Sequence, residues 1–245
     1  MNKPKMVIFD YGHTLLYEPN HSPENGNRAI WKYVKSNPNN ITFDEFNRTD
    51  MELFAKVKDQ RNHGIEVHEH CYLKMILDYL GIELSVSIPE AEKIIWYGIS
   101  EGAKMPYVEE MLQFLDEQGI RTGVISNLCF SGEALQERLN RFLPNNNFEF
   151  VLASSEYVFP KPNRMMFDIA LKKAELEPSE VWFCGDSIAA DIIGARNTGI
   201  FPVLYNGETE EENDPMKKIN DGIKVDFEYL YIEDWRDFIE ILKGI

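Results

Sequence analysis

Five short runs dominated by valine, isoleucine and phenylalanine constrain this chain most: MVIFD from Met6, RTGVISN from Arg121, FEFVLASS from Phe148, VWFCGD from Val181 and FPVLYN from Phe201. They are separated by stretches of helical periodicity, among them YVEEMLQFLDEQ, PNRMMFDIALKKAEL and AADIIGARNTG. Continuous apolar runs of strand length alternating with helices predict an α/β fold, a parallel sheet buried on both faces. Within 108–118, Met111, Leu112 and Leu115 fall on one helical face, and Gly119 supplies a stop before the next strand. Several runs end in a polar residue, on the carboxyl edge where open sheets of this kind bind ligands.

From Tyr17 to Gly102 the strand-like runs vanish. NGNRAIWKYVKS, TFDEFNRTDMELFAKVKD, EHCYLKMILDYLGI and PEAEKIIWYGISEGA each read as helical, and Thr42 followed by Glu45 has the spacing of a capping box. The expectation is a core of residues 1–16 and 103–245 with an all-helical cap, 17–102, inserted after the first strand.

The 245 residues, 44% apolar, suffice for a sizeable core, and a formal charge of −16 argues against nucleic acid or anionic lipid as partners. An anionic substrate then needs a local positive centre. Cys71, Cys129 and Cys184 are an odd, scattered set without a CxxC, which points to a reducing compartment and to three small buried hydrophobes. The strand-like run begins within about six residues of Met1, leaving no room for a signal peptide, and no apolar run reaches the ~18 residues a membrane span needs, so a cytoplasmic location is expected. The acidic run GETEEENDP from Gly207 reads as a solvated loop.

A carboxylate closing a buried strand, as Asp10 does, is costly without a cation beside it. A second strand ends in Asp186, with Asp191 five residues on, and Gly185 permits a tight turn there. Carboxylates from different strands meeting at one edge suit a hard cation such as Mg²⁺, which takes oxygen ligands and keeps water for exchange. Lys161, between two prolines, is placed to balance them and to hold an anionic oxygen. VISNLCF adds the Ser126 hydroxyl at another strand end. Hydroxyl, lysine and metal around one carboxylate describe a phosphoryl site with Asp10 as nucleophile.

Taken together, FDYGHTL, ISN, the KP before a helix and GDSIAAD resemble the four ordered motifs of the haloacid dehalogenase superfamily, across essentially the whole chain. The resemblance implies a Rossmann-like core and Mg²⁺. It implies Asp10 as nucleophile and metal ligand, Ser126 and Lys161 as phosphate binders, Asp186 as metal ligand, and Asp191 at or just behind the metal shell. Asn127 is a further candidate for the substrate-binding loop, with a turn role as the alternative. The expected reaction is hydrolysis of a small phosphorylated metabolite; oligomeric state is left open.

One position departs from the pattern. Phosphatases of this superfamily commonly carry a second aspartate two residues after the nucleophile, as general acid and base, where this chain has Gly12. Glycine keeps the backbone carbonyl that the family offers the metal, but it removes a proton transfer worth 10²- to 10⁴-fold, or roughly 3 to 5.5 kcal/mol of barrier. A slower phosphatase, an activated substrate, and His13 as replacement acid all fit. So does a phospho-ligand sensor without turnover. A dehalogenase is disfavoured because the tyrosine is Tyr11, one place early, and the metal-binding GD is retained.

His63, His68, His70 and Cys71 cluster in the cap, but the spacing puts His68 and His70 on opposite sides of a helix and shows no second ligand pair. A helix start with a polar face is the expected reading. Trp31, Phe54, Met75 and Trp96 read mostly as the cap's own core.

Overall fold

The computed structural model describes residues 2–210 and 219–245. The chain runs through β1 (Met6–Phe9) and β2 (Leu16–Tyr17) into α1 (Pro23–Trp31), β3 (Val34–Ser36), α2 (Phe43–Asn62), α3 (Glu69–Leu80), β4 (Glu83–Leu84) and α4 (Ile88–Ile99). It returns through β5 (Ala103–Lys104) to α5 (Val108–Glu117), β6 (Arg121–Ser126), α6 (Gly132–Phe142), β7 (Phe148–Ala153), α7 (Ser154–Tyr157) and α8 (Arg164–Ala174). β8 (Val181–Gly185), a π-helical turn at Ile188–Ile192, α9 (Ile193–Thr198), β9 (Phe201–Tyr205), β10 (Leu230–Ile232) and α10 (Trp235–Lys243) complete it.

β1 holds the middle of a parallel sheet ordered β10-β9-β8-β1-β6-β7. Its four side chains are fully buried because both faces of the strand are covered. Val7 and Phe9 join the cluster under α5, α6 and α10, whereas Met6 and Ile8 join the cluster under α8 and α9. Each such side chain contributes about 1.5–3 kcal/mol relative to exposure. Phe9 pairs with Val124 on one side and Cys184 on the other, so Asp10, Ser126 and Asp186 leave the sheet at one edge.

The five strands expected from the sequence are all present. β10 was not legible, being three residues at the sheet edge in a stretch of mixed polarity. Between β2 and β5, paired antiparallel, the inserted block is helical with one exception: the tail of the first expected cap helix leaves α1 and pairs with β4 as β3. The capping box at Thr42 and Glu45 forms at the start of α2. Cys184 is buried as expected, but Cys129 is only partly so, and Cys71 and Met75 are exposed. Of the acidic run, residues 211–215 lie outside the described residues. Among the described residues, no helix is long and apolar enough to cross a membrane.

Arg138, on α6, ties both crossings between core and cap. It is fully buried; its Nε donates to Tyr11 Oη at 2.9 Å and its Nη2 to the Ser100 carbonyl at 2.9 Å, with Glu18 Oε1 at 3.5 Å. Glu18 also accepts from Trp96 Nε1 at 2.7 Å, and the guanidinium lies 4.7 Å from the Trp96 ring. A planar cation with forked donors suits this junction, where an ammonium would reach only one partner well.

Three residues before Lys161 the backbone is strained. Val158 has φ 68° and ψ −39°, and the Phe159 amide donates to the Tyr157 carbonyl at 2.7 Å, closing a three-residue turn of the rare positive-φ kind. A β-branched residue in that region costs about 1–3 kcal/mol. The Val158 side chain is half exposed, so little packing is lost on its removal. Val158→Gly is therefore expected to raise stability by about 1 kcal/mol after glycine's own entropic cost. Urea unfolding at unchanged m-value checks this, and a lower midpoint would mean that the side chain's contacts outweigh the strain.

Candidate active site

Lys161 is almost wholly buried, with its ammonium aimed at the carboxyl edge. Nζ lies 2.5 Å from Asp10 Oδ1 and 2.7 Å from Asp191 Oδ1, and donates to the Ile125 carbonyl at 2.9 Å. Burial acts against the ammonium, but the two carboxylates together raise its pKa above the ordinary value. Asn127 sets the lysine's backbone: its carboxamide accepts from the Lys161 amide at 2.7 Å and donates to the Lys161 carbonyl at 2.8 Å. That carboxamide, a candidate for binding substrate, is thus engaged in placing Lys161. Ser126 closes β6 beside it, nearly buried.

Asp10, Asp186 and Asp191 bring carboxylate oxygens within 4.8 Å of one another. The Asp10 carboxyl is raised to about 6, burial and then Asp191 pushing it up against the pull of Lys161. Asp186 is raised well above the carboxylate range by burial, then by Asp10 and Asp191. One ammonium cannot neutralise three carboxylates, and an all-oxygen donor set of this density fits a hard dication. Asp10 and Asp186 are the candidates for direct ligands. Both oxygens of Asp191 are engaged, Oδ1 facing Lys161 and Oδ2 accepting the Ser187 amide at 3.0 Å, which suits a place behind them.

Gly185 does not use positive-φ freedom, as the expected tight turn would require. Its role is space, since a Cβ there would overlap the Asp191 carboxylate. Asn220 holds the loop from the far side, its Nδ2 donating to the Asp186 carbonyl at 2.8 Å and its Oδ1 accepting the Ile188 amide at 2.7 Å. Nothing in the sequence around Asn220 signalled this, because it lies in an irregular segment with neither period nor motif.

At Gly12 a Cβ would meet only Asp10 Oδ2, at 4.0 Å, so a side chain has room there beside Asp10. His13 has φ 51°, its amide donates to the Leu16 carbonyl at 2.7 Å, and its ring centroid lies 6.3 Å from that of Tyr17.

The Lys161 ammonium carries a stability prediction. Lys161→Met leaves two buried carboxylates facing each other uncompensated, and in chelator it is expected to cost about 3–5 kcal/mol of unfolding free energy. Urea titration with and without Mg²⁺ measures it, with part of the loss recovered when the cation is added. An unchanged midpoint would mean that solvent already compensates Asp10 and Asp191.

A family model for haloacid dehalogenase-like hydrolases matches residues 36–204, a stretch that begins after Asp10. A glyceraldehyde 3-phosphate phosphatase of Methanothermobacter thermautotrophicus is 35% identical over 46% of this chain, and the matched stretch spans 50% of that protein. One from Methanopyrus kandleri is 23% identical over 98% of both chains. Among solved structures, a HAD phosphatase from Thermococcus onnurineus superposes with a TM-score of 0.61 at 18% identity, covering 98% of each chain and showing the shared fold. With the model matching well over half its length, the chain belongs to the haloacid dehalogenase-like hydrolase family.

Proposed function

We propose that this hydrolase is a Mg²⁺-dependent phosphatase of small phosphorylated metabolites, sugar phosphates foremost, working through an aspartyl-phosphate on Asp10. The observation that carries the reading is the Lys161 ammonium, 2.5 Å from Asp10 within a cluster of three carboxylates, two of them buried. The relatives named as glyceraldehyde 3-phosphate phosphatases support the substrate class.

An Asp10 carboxylate oxygen attacks phosphorus in line, the bond to the leaving oxygen breaks, and water later cleaves the acyl phosphate to regenerate Asp10. Lys161 and the Ser126 hydroxyl hold the transferring oxygens. The divalent cation, held by Asp10, Asp186 and the Gly12 carbonyl, would supply charge neutralisation at the phosphoryl group. Burial keeps bulk water from the nucleophile, and the cap over the edge selects the leaving group. The leaving oxygen needs a proton that Gly12 cannot give. His13, next in the chain, is the candidate donor; a sugar hydroxyl or solvent is the alternative.

Gly12 also favours a second reading, a phospho-ligand sensor with the site intact and turnover lost. Phosphate release from a panel of phosphorylated sugars, acids and nucleotides plus one activated aryl phosphate, in Mg²⁺ and then in chelator, separates the two. Metal-dependent release is expected for one compound class, and silence across the panel from folded protein favours the sensor. Asp10→Asn is expected to abolish release; rates insensitive to it would overturn the nucleophile assignment.

Gly12→Asp fits the space beside Asp10 and is expected to raise kcat on unactivated esters by 10-fold or more, with little effect on the aryl phosphate, whose leaving group needs no acid. Equal rates on both substrates would mean that His13 or the substrate already provides the proton.

A further inference from the structure

The expectation that His68 and His70 point to opposite sides of a helix fails, because the helix begins between them. His68 is the N-cap of α3, its Nδ1 accepting the His70 amide at 3.0 Å, and the two rings lie edge to face with centroids 4.5 Å apart. The carboxylate that completes the group comes from another helix. Glu92 on α4 is fully buried and its Oε2 lies 2.8 Å from His70 Nε2. One ligand-capable atom from each of His68, His70 and Glu92 lies within 4.8 Å of the others.

We propose that His68, His70 and Glu92 form a second metal site, for a zinc-like dication, that ties the cap helices α3 and α4 together where Glu92 meets the core. Two imidazoles and one carboxylate are a donor set that borderline transition ions prefer, and a fourth position is left to water. This differs from the all-oxygen cluster around Asp10, which suits a hard ion. The charge around the site favours a dication, because Glu156 acts on His68 together with Glu92. The nearby Arg61 is already paired with Glu66, through Nε at 2.8 Å. Both imidazoles are partly exposed, which gives an ion a way in.

Glu92 is oriented by the core. Its Oε1 accepts the Ser131 amide and its Oε2 the Ser131 hydroxyl, each at 2.6 Å, and Ser131 is the N-cap of α6. These bonds fix the carboxylate from behind, as partners of metal ligands do. Binding has a defined cost. If the ion takes Nδ1 of His68 it takes the lone pair that caps α3, and if it takes Nε2 the ring proton moves to Nδ1; either way one capping bond, about 1 kcal/mol, is given up. The ion would join α3 to α4 and, through Glu92, both to the helix that follows Ser126.

The test is Co²⁺ and Zn²⁺ titration of the chelator-stripped chain in excess Mg²⁺, which occupies the hard site. One equivalent is expected to bind, Co²⁺ giving visible d–d bands of a low-coordinate nitrogen and oxygen site, and Zn²⁺ raising Tm. His68→Asn keeps a side chain able to cap α3, and with His70→Gln it is expected to lose at least about tenfold in affinity along with the bands. His63→Asn, outside the cluster on the exposed end of α2, should bind as the unaltered chain does. No saturable equivalent in excess Mg²⁺, or folded His68→Asn binding as tightly as the unaltered chain, would overturn the proposal. Should His70→Gln fail to fold, His68→Asn decides alone.

Discussion

The contact between the Lys161 ammonium and the Asp10 and Asp191 carboxylates is the constraint around which the sheet edge is arranged. Three clustered carboxylates, two of them buried, would repel one another strongly in a poorly solvated setting, and one cation offsets only part of that repulsion. The surrounding sequence follows from keeping this cation fixed. Asn127 grips the Lys161 backbone from both sides, the Ile125 carbonyl takes the remaining ammonium direction, and Gly185 leaves room for Asp191 to approach. Stability and chemistry are opposed here. The unneutralised carboxylate charge that weakens the fold is the charge that a bound dication would offset.

The sheet was legible because β1, β6, β7, β8 and β9 are continuous apolar runs, a signal that survives without knowledge of tertiary partners. That Asp10 and Asp186 share one sheet edge was legible for a related reason, since each directly follows such a run. What could not be read were contacts between segments remote in sequence. The Glu92 partnership with Ser131 and His70, the Arg138 junction and the Asn220 brace each join side chains whose neighbourhoods carry no motif. The His68 and His70 geometry was misread because the spacing argument presumes a continuous helix, whereas a residue at an N-cap has extended backbone and leaves the helical period. β3 was missed because its residues continue a helical pattern and only pairing with β4 draws them into a strand.

The cap is attached by more than its two crossing segments. Arg138 bonds to Tyr11, next to Asp10, and to the Ser100 carbonyl, while Glu92 reaches over to the start of the same helix, α6. α6 thus carries cap contacts at both its beginning and its middle, and it follows directly on the loop that leaves β6 after Ser126. Movement of the cap relative to the core would be transmitted towards the end of β6 through this one helix, a rigid element with two attachment points.

The central position of β1 has a consequence for how the molecule assembles. β1 precedes every other core strand in the chain, yet its hydrogen-bonding partners begin only at Arg121 and Val181. Such pairings have high contact order, and each requires closure of a long loop before it is rewarded. Asp10 therefore stays without its lysine and its fellow carboxylates until the distant strands have docked on either side. A partly folded chain carries Asp10 as an ordinary solvated carboxylate, with no reactivity towards phosphate esters, so hydrolytic competence appears only with completion of the sheet.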